Sequence, residues 1–130
     1  MNQIKMVETI FFVANQETSR DFYQMIFRKL PVLDVPGMTE FDLTNTCKLG
    51  LMPNQGIAKI LQGEMPHPAE GSGIPRCELY LIVENVDVEF ENAIKAGAKL
   101  ISPILDRDWG YKVCYFADPD GHIIAFAEKM

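Results

Sequence analysis

Two acidic residues, Glu8 and Glu78, stand at the same point of a strand-like pattern that occurs twice in the chain. The first copy covers residues 8–15 (ETIFFVAN) and the second covers residues 78–85 (ELYLIVEN). A fold built from two paired modules brings equivalent positions together. We therefore expect the two carboxyl groups to face one shared site.

Two facing carboxyl groups have several chemical uses. They can supply oxygen ligands to a hard cation such as Mg²⁺ or Mn²⁺, although two side chains alone would hold it weakly. One of them can act as a general base whose pKa is raised by burial or by the other acid. They can also recognise a cationic or hydroxyl-bearing ligand. The alternative is that one or both are solvated at a strand end, or bonded to a nearby backbone group or lysine.

Other candidate residues accompany the acids on the predicted strands and loops. Strand alternation places Phe12 on the same face as Glu8, and Tyr80 on the same face as Glu78. We expect Phe12 and Met52 to line a cavity, and Tyr80 either to offer its hydroxyl to a ligand or to act as a packing aromatic. Trp109 is the only tryptophan. In a glycine-containing loop it either stacks on a planar ligand or fills the core or a dimer contact.

Histidine, the usual protein ligand of zinc and non-haem iron, occurs only at His67 and His122. Neither falls at a candidate ligand position, so we expect no tightly bound transition metal. Asp118 and Asp120 belong to an Asp-Pro-Asp-Gly sequence, which is typical of a tight turn. We interpret them as turn formers and not as catalytic acids.

The first half of the chain predicts a strand, a helix and three short strands. The helix is amphipathic, and Pro31 ends it. Its candidate N-terminal capping residues are Asn15, Thr18 and Ser19. A stretch rich in proline and glycine follows, in which a helical turn is expected at 57–62. The predicted strands cover residues 4–14, 32–35, 40–44 and 47–52, and the predicted helix covers 18–30.

The second half predicts the same order of elements. Its helix is expected at 87–96, with Asp87 as the cap and Gly97 at the end. Three strands follow each helix with only hairpin-length gaps, which excludes a doubly wound parallel sheet. The predicted strands cover residues 77–84, 98–105, 111–117 and 122–128.

The length of 130 residues indicates a single domain over residues 1–130, either one compact unit or two half-size modules that share a core. The repeated order of elements places the modules at 1–53 and 76–130, and the stretch rich in proline and glycine forms a linker at 54–75. The net charge of −6 and the absence of a basic run argue against nucleic acid as a partner. No apolar stretch is long enough to span a bilayer, and the first residues lack the apolar region of an export signal. The three scattered cysteines suggest reduced thiols, so we expect a cytoplasmic protein.

The order βαβββ–linker–βαβββ, together with local motifs, resembles the vicinal oxygen chelate superfamily of glyoxalase I, bleomycin-resistance proteins and extradiol dioxygenases. The motifs are residues 18–23 (TSRDFY) on the first helix, and Trp109-Gly110 followed by residues 115–121 (YFADPDG). The resemblance covers nearly the whole chain. It implies an α+β fold in which two modules form a curved mixed sheet around a cavity, usually within a homodimer.

The resemblance also implies where metal ligands would lie. Metalloenzymes of the superfamily carry them on the first and last strands of each module, with His or Gln on first strands and Glu on last strands. The first-strand positions fall on Glu8 and Glu78 in this sequence, and the last-strand positions fall on Gly50 and Ala125. Gly50 and Ala125 cannot ligate a metal through a side chain, which is a departure from the pattern.

Two functions are consistent with this departure. As a binding protein, the chain would hold an aromatic or cationic small molecule in an apolar cavity with no cofactor, as metal-free resistance proteins of the superfamily do. As an enzyme, it would be a lyase, an isomerase or a dioxygenase-like member, with a glutamate as base or with Mg²⁺ or Mn²⁺ on Glu8 and Glu78. Loss of the last-strand ligands favours the first function, and the two retained acids keep the second open.

Overall fold

The computed structural model describes residues 3–130, and this part of the chain forms two compact units. The first unit runs from the start of the described chain to Gln24 and then from Arg28 to Ser72. The second unit comprises Met25–Phe27 and Gly73–Met130. Each unit contains one four-stranded sheet.

The first sheet contains four strands in the order β1-β4-β3-β2. β1 pairs with β4 in parallel, whereas the β3–β4 and β2–β3 pairs are antiparallel, so the sheet is mixed. The elements in chain order are β1 (Val7–Val13), α1 (Gln16–Phe27), β2 (Leu33–Val35), β3 (Met38–Thr44), β4 (Cys47–Pro53), α2 (Asn54–Leu61) and a short 3₁₀ helix (Pro68–Gly71).

The second sheet repeats this topology, with the strand order β5-β8-β7-β6. Its parallel pair is β5 with β8, the first and last of its strands along the chain. The duplicated βαβββ order and the α+β class predicted from the sequence are therefore confirmed. Neither sheet closes on itself. The elements are β5 (Glu78–Ile82), α3 (Val86–Lys95), β6 (Lys99–Asp106), β7 (Tyr111–Ala117) and β8 (Ile123–Lys129).

The two long helices begin at equivalent asparagines of the repeated pattern. The side chain of Asn15 accepts a hydrogen bond of 2.9 Å from the backbone N–H of Thr18. The side chain of Asn85 accepts bonds from the backbone N–H groups of Asp87 and Val88. The prediction that Asp87 caps the second helix is wrong, because Asp87 already lies within its first turn and Asn85 satisfies the free donors.

Several predicted boundaries also differ from the structure. The first strand begins at Val7 and not at residue 4, and α1 ends at Phe27 because Arg28 adopts a left-handed conformation with φ of 53°. The predicted linker contains a complete helix, α2, in place of a single helical turn. Ile57, Ile60 and Leu61 have helical spacing, but Gly56 lowers the helix propensity of the segment. For this reason the sequence predicted only one turn. No helix within residues 3–130 is long and apolar enough to cross a membrane.

Each sheet buries one of its faces beneath a helix, and we call this its helix face. In the first unit, Phe11 is 2% exposed and its ring lies 6.3 Å from that of Tyr23 on α1. In the second unit, the ring of Phe116 lies 5.4 Å from that of Phe90 on α3. Strand alternation then leaves Glu8 and Glu78 on the opposite surfaces, which we call the far faces.

Candidate functional site

The far face of the first sheet groups a carboxyl, an amine and a second carboxyl around a glycine. Glu8 on β1 lies directly beside Lys48 on the parallel strand β4. Gly50, two residues further along β4, lies between Ile10 on β1 and Glu40 on β3. Three adjacent strands therefore bring Glu8, Glu40 and Lys48 to one patch, which we call the acid patch.

Gly50 makes room for the carboxyl group of Glu8. An ideal Cβ atom built on Gly50 would lie 2.5 Å from Oε2 of Glu8 and 3.1 Å from Cγ1 of Ile10. Since real Cβ atoms do not approach other heavy atoms so closely, any larger residue at position 50 would push the carboxyl group away. The Glu8 carboxyl group therefore occupies the space that a side chain at this last-strand position would take.

In its ionised form, the Glu8 carboxyl group has fewer hydrogen bonds than its two oxygen atoms can accept. Its Oε2 atom is shielded from solvent and has no hydrogen-bond partner within residues 3–130. Glu40 is nearby, and the two carboxyl groups can bond to each other only when one carries a proton. Burial, the hydrogen bond with Glu40 and the charge of Glu40 raise the pKa of Glu8, whereas the charge of Lys48 opposes the rise.

Lys48 pairs with the second carboxyl group of the patch. Its Nζ atom lies 3.6 Å from Oε1 of Glu40, and both side chains are mostly buried. The amine therefore neutralises one of the two acids and leaves Glu8 as the group that gains most from a proton. A carboxyl group whose pKa is raised in this way is a candidate general acid or base.

Two predicted lining residues lie on the same far face as Glu8. Phe12 on β1 is directly beside Met52 on β4, and Phe12 is 36% exposed. A hollow of this unit, near the turn between β3 and β4, shares Lys48 with the acid patch. It is lined mainly by polar and charged groups, unlike the apolar cavity that the resemblance implies. Its lining residues are Met6, Lys29, Asp42, Leu43, Thr44, Asn45 and Lys48.

The far face of the second sheet is aromatic. Three half-buried tyrosine rings pack over a floor of small, fully buried residues, and we call them the tyrosine platform. Tyr80 on β5 and Tyr115 on β7 both lie beside Ala125 on the strand between them. The tyrosines are Tyr80, Tyr111 and Tyr115, and the floor consists of Val113, Ala125 and Ala127.

Trp109 extends the platform at its margin. Its indole Nε1 donates a hydrogen bond of 2.8 Å to the hydroxyl of Tyr80, and the Tyr80 ring packs edge-to-face with Tyr111 at 6.4 Å. Trp109 is 55% exposed, so the alternative that it fills the core is wrong. The structure thus brings together two predicted ligand-binding residues, Tyr80 and Trp109.

Arg107 holds a fixed position beside the platform. Its guanidinium carbon lies 5.1 Å from the centre of the Tyr115 ring, a cation–π arrangement. Nε and Nη2 donate to the carbonyl of Val113, and Nη2 also donates to the hydroxyl of Ser102 and the carbonyl of Pro103. Within the described residues Arg107 forms no ion pair, and these bonds do not use Nη1.

Glu78 differs from Glu8 in its surroundings. It is exposed at the start of β5, opposite Ile123, and its charge contributes to raising the pKa of Tyr115, an effect that is due first to burial of the tyrosine. Glu8 and Glu78 belong to different units. That they face one shared site therefore stays a prediction.

The donor set within each unit does not fit a transition metal. Among residues 3–130, no group of three or more His, Cys, Asp and Glu side chains is placed to hold a metal ion. In the first unit, the carboxyl of Glu8 itself fills the space beside Gly50, and Lys48 brings a competing cation. In the second unit, Val113, Ala125 and Ala127 provide only apolar side chains beneath the platform.

Five residues in or beside these two patches were not predicted as site residues. Glu40 and Lys48 belong to the acid patch, Tyr111 and Tyr115 belong to the tyrosine platform, and Arg107 lies beside that platform. The alternation of Tyr111, Val113 and Tyr115 along β7 is a signal that could have identified the platform. Glu40 has no such signal, because its position depends on how β3 pairs with β4.

A family comparison agrees with this architecture. The model of the glyoxalase-like domain matches residues 6–130, which is almost the entire chain. The chain belongs to the glyoxalase-like domain family. This membership and the solved structures below place it in the vicinal oxygen chelate superfamily and confirm the resemblance drawn from its motifs.

Solved structures of glyoxalase-like proteins share the fold over nearly the full length. A glyoxalase-related enzyme from Fulvimarina pelagi matches with a TM-score of 0.79 and 22% identity, covering 99% of this chain and 89% of that one. A glyoxalase/bleomycin resistance protein/dioxygenase family enzyme from Burkholderia phytofirmans matches with a TM-score of 0.77 and 17% identity, covering 99% and 100%. At these identities the likeness establishes the fold alone.

Sequence relatives of this glyoxalase-like chain occur in bacteria. An uncharacterised protein of Mycobacterium bovis is 29% identical over 113 residues, which is 85% of this chain and 74% of the relative. An uncharacterised protein of Bacillus subtilis is 25% identical over 130 residues and covers 98% of this chain and 100% of the relative.

Proposed function

We propose that this glyoxalase-like protein binds a small organic molecule and does so without a tightly bound transition metal. The observation that carries the proposal is the tyrosine platform with Trp109 at its margin. Aromatic rings that are half-buried on one side and accessible on the other provide large, rigid contact area for a flat or cationic ligand. The far face of the second sheet is the surface that offers them.

The remaining predicted residues have supporting roles in this proposal. Glu8 and Glu78 act as polar anchors, and Phe12 and Met52 provide apolar contact on the far face of the first sheet. Gly50 and Ala125 leave the last-strand positions without ligating side chains. A hard cation such as Mg²⁺ or Mn²⁺ would then depend on carboxylates and water, and its affinity would be low.

The acid patch favours a second candidate function, that of an enzyme. Glu8 has a raised pKa and a shielded oxygen atom without a partner within residues 3–130, as a catalytic acid or base would. In this function Glu8 moves a proton of a bound substrate, and the protein is a lyase, an isomerase or a dioxygenase-like member of the superfamily. Lys48 and Glu40 then set the protonation state of Glu8.

The experiment begins with the metal content of untreated protein, followed by thermal unfolding with Mg²⁺, Mn²⁺, Ni²⁺ or Zn²⁺. Chelator-treated protein is then screened by thermal shift against a library of aromatic and cationic compounds. We expect substoichiometric metal, and ligands that stabilise the chelated protein and perturb the Trp109 fluorescence. Stoichiometric metal that disappears in Glu8→Gln or Glu78→Gln, but not in Glu91→Gln, would contradict the metal-free proposal.

We also propose the homodimer, which rests on the family resemblance alone. Size-exclusion chromatography with light scattering should give twice the mass of the chain. A mass equal to that of one chain contradicts the dimer and leaves the binding proposal unaffected.

A further inference from the structure

We propose that the ligand of the tyrosine platform is a planar ring carrying an oxygen acceptor, and that this oxygen accepts a hydrogen bond from the hydroxyl of Tyr80. The inference rests on the proposed binding function and adds the chemical class of the ligand. It also assigns Trp109 as the residue that orients Tyr80. Three features of the second unit lead to it.

The first feature is the direction of the Tyr80–Trp109 hydrogen bond. An indole N–H can only donate, so the hydroxyl oxygen of Tyr80 must be the acceptor. The hydroxyl retains its own proton, and no acceptor within the described residues receives it. Trp109 therefore fixes the oxygen of Tyr80 and leaves its O–H as an available donor beside the platform.

The second feature is the positive charge of Arg107. Its guanidinium is held by bonds to Val113, Ser102 and Pro103, and lies against the ring of Tyr115. Because Arg107 has no ion pair among the described residues, its charge is uncompensated by a direct contact. A fixed guanidinium with unused N–H groups on Nη1 favours an oxygen-bearing ligand over a cationic one.

The third feature is the shape of the surface. Tyr80 and Tyr115 flank Ala125 on adjacent strands, and the fully buried methyl groups of Ala125 and Ala127 form the floor below the rings. Because the floor residues are small, the tyrosine rings can lie close to the sheet. Their faces and edges, as well as their hydroxyls, are then available to contact a ligand. Stacking on such rings requires a flat molecule. Burial raises the pKa of Tyr115, and the charge of the exposed Glu78 carboxylate adds to the rise, whereas the charge of Arg107 opposes it.

The test uses three probes on chelator-treated full-length protein, observed by ¹H–¹⁵N NMR of the indole N–H of Trp109. This chain has one tryptophan and therefore one such resonance. Benzoate is flat and carries acceptor oxygens, cyclohexanecarboxylate has the same charge without the flat ring, and benzyltrimethylammonium has the ring with a positive charge. We expect saturable shifts with benzoate at lower concentration than with either other probe.

Two variants test the assigned roles. Tyr80→Phe keeps the ring and removes the donor, and should weaken benzoate binding by about five-fold or more, as expected for one hydrogen bond. Trp109→Phe removes the orienting donor and should weaken benzoate in the same direction, monitored by the ring resonances of the tyrosines. Glu91→Gln, an exposed change on α3, is the control and should leave the benzoate affinity unchanged.

The outcomes separate this inference from the proposed function. If benzyltrimethylammonium or cyclohexanecarboxylate binds as tightly as benzoate, or if Tyr80→Phe retains full benzoate affinity, the ligand class is wrong while a binding function stands. If none of the three probes perturbs Trp109, the inference is overturned. The proposed function also fails if, in addition, the compound library yields no ligand.

Discussion

The Oε2 atom of Glu8 lies in the space beside Gly50 that a side chain would otherwise take, 2.5 Å from the ideal Cβ position. The carboxyl group of Glu8 on β1 therefore packs where β4 has no side chain, at Gly50. The carboxyl group of Glu8 can keep this conformation only with glycine at position 50. The far face thus requires these two residues together.

Gly50→Ala should lower the free energy of unfolding by about 1 kcal/mol, the lower end of the cost of inserting atoms into a packed site. The cost is small because the carboxyl group can move, although Ile10 also lies close, at 3.1 Å. Urea denaturation measures this change in the free energy of unfolding when Gly50→Ala is made in the wild-type protein and in the Glu8→Ala variant. The change should be smaller in the Glu8→Ala variant.

Gly56→Ala is the matched control for this substitution. Gly56 lies in α2, and its nearest neighbour to an added Cβ is Met52 Cγ at 3.8 Å, an ordinary contact. Alanine there should raise the free energy of unfolding by up to about 1 kcal/mol through helix propensity. Equal losses at Gly50 and Gly56 would contradict a specific contact between Gly50 and Glu8.

Glu8→Gln should stabilise the protein at neutral pH. The folded-state pKa of Glu8 is raised above its ordinary value of 4.5, so the folded protein binds more protons than the unfolded chain as pH rises above that value. Stability therefore falls as pH rises through the window that begins at about 4.5, and the neutral amide removes this loss. Melting temperatures from pH 4 to 8 should show a Glu8→Gln advantage that grows with pH.

Glu91→Gln provides the control for the pH series, because Glu91 is exposed on α3. Its melting curve should follow the wild type at every pH. A Glu8→Gln variant that is less stable than wild type at pH 8 would mean that the attraction of Lys48 outweighs burial and Glu40, contrary to the direction of the shift.

Tyr80→Phe should free the indole N–H of Trp109. Loss of the 2.8 Å hydrogen bond moves the single indole proton resonance upfield and speeds its exchange with water. The free energy of unfolding should fall by at most about 1 kcal/mol, because Trp109 is 55% exposed and water can replace the bond. Tyr111→Phe keeps the bond and should leave the resonance near its wild-type position; similar spectra for both variants would exclude the bond in solution.

Cys114 should resist thiol reagents in the folded protein. Burial raises the pKa of the Cys114 thiol to about 11, so the reactive thiolate is scarce at pH 8, and its side chain is inaccessible. Cys77 is exposed and Cys47 half-buried, so mass spectrometry after brief alkylation should find Cys77 modified first and Cys47 later. Cys114 should react only in denaturant, and rapid labelling of Cys114 without denaturant would refute its burial.

The repeated strand pattern predicted the duplicated topology because strand alternation and helix caps are local properties. The shared asparagines, Asn15 and Asn85, are the helix caps in both units. The assignment of Asp87 as a cap failed because Asp is also a favoured capping residue, and nothing local distinguishes it from Asn85 two positions earlier. Element boundaries therefore shifted while the order of elements held.

The acid patch could not be predicted fully, because it depends on register across three strands. The pairing of β3 with β4 is interrupted by a bulge between Asp42 and Thr44, which shifts the register towards Glu40. A bulge changes which residues are neighbours and has no clear sequence signal here. Glu8 is a candidate from the sequence alone, but only the strand pairing shows that Glu40 and Lys48 join it beside Gly50.

The two units share an order of strands and differ in what their far faces carry. Ile10 and Gly50 in the first unit correspond in pairing to Tyr80 and Ala125 in the second. Each half of the molecule is thus an internal reference for the other. A substitution that has the same effect at both equivalent positions reports on the shared scaffold. An effect limited to one half reports on the residues that only that half carries.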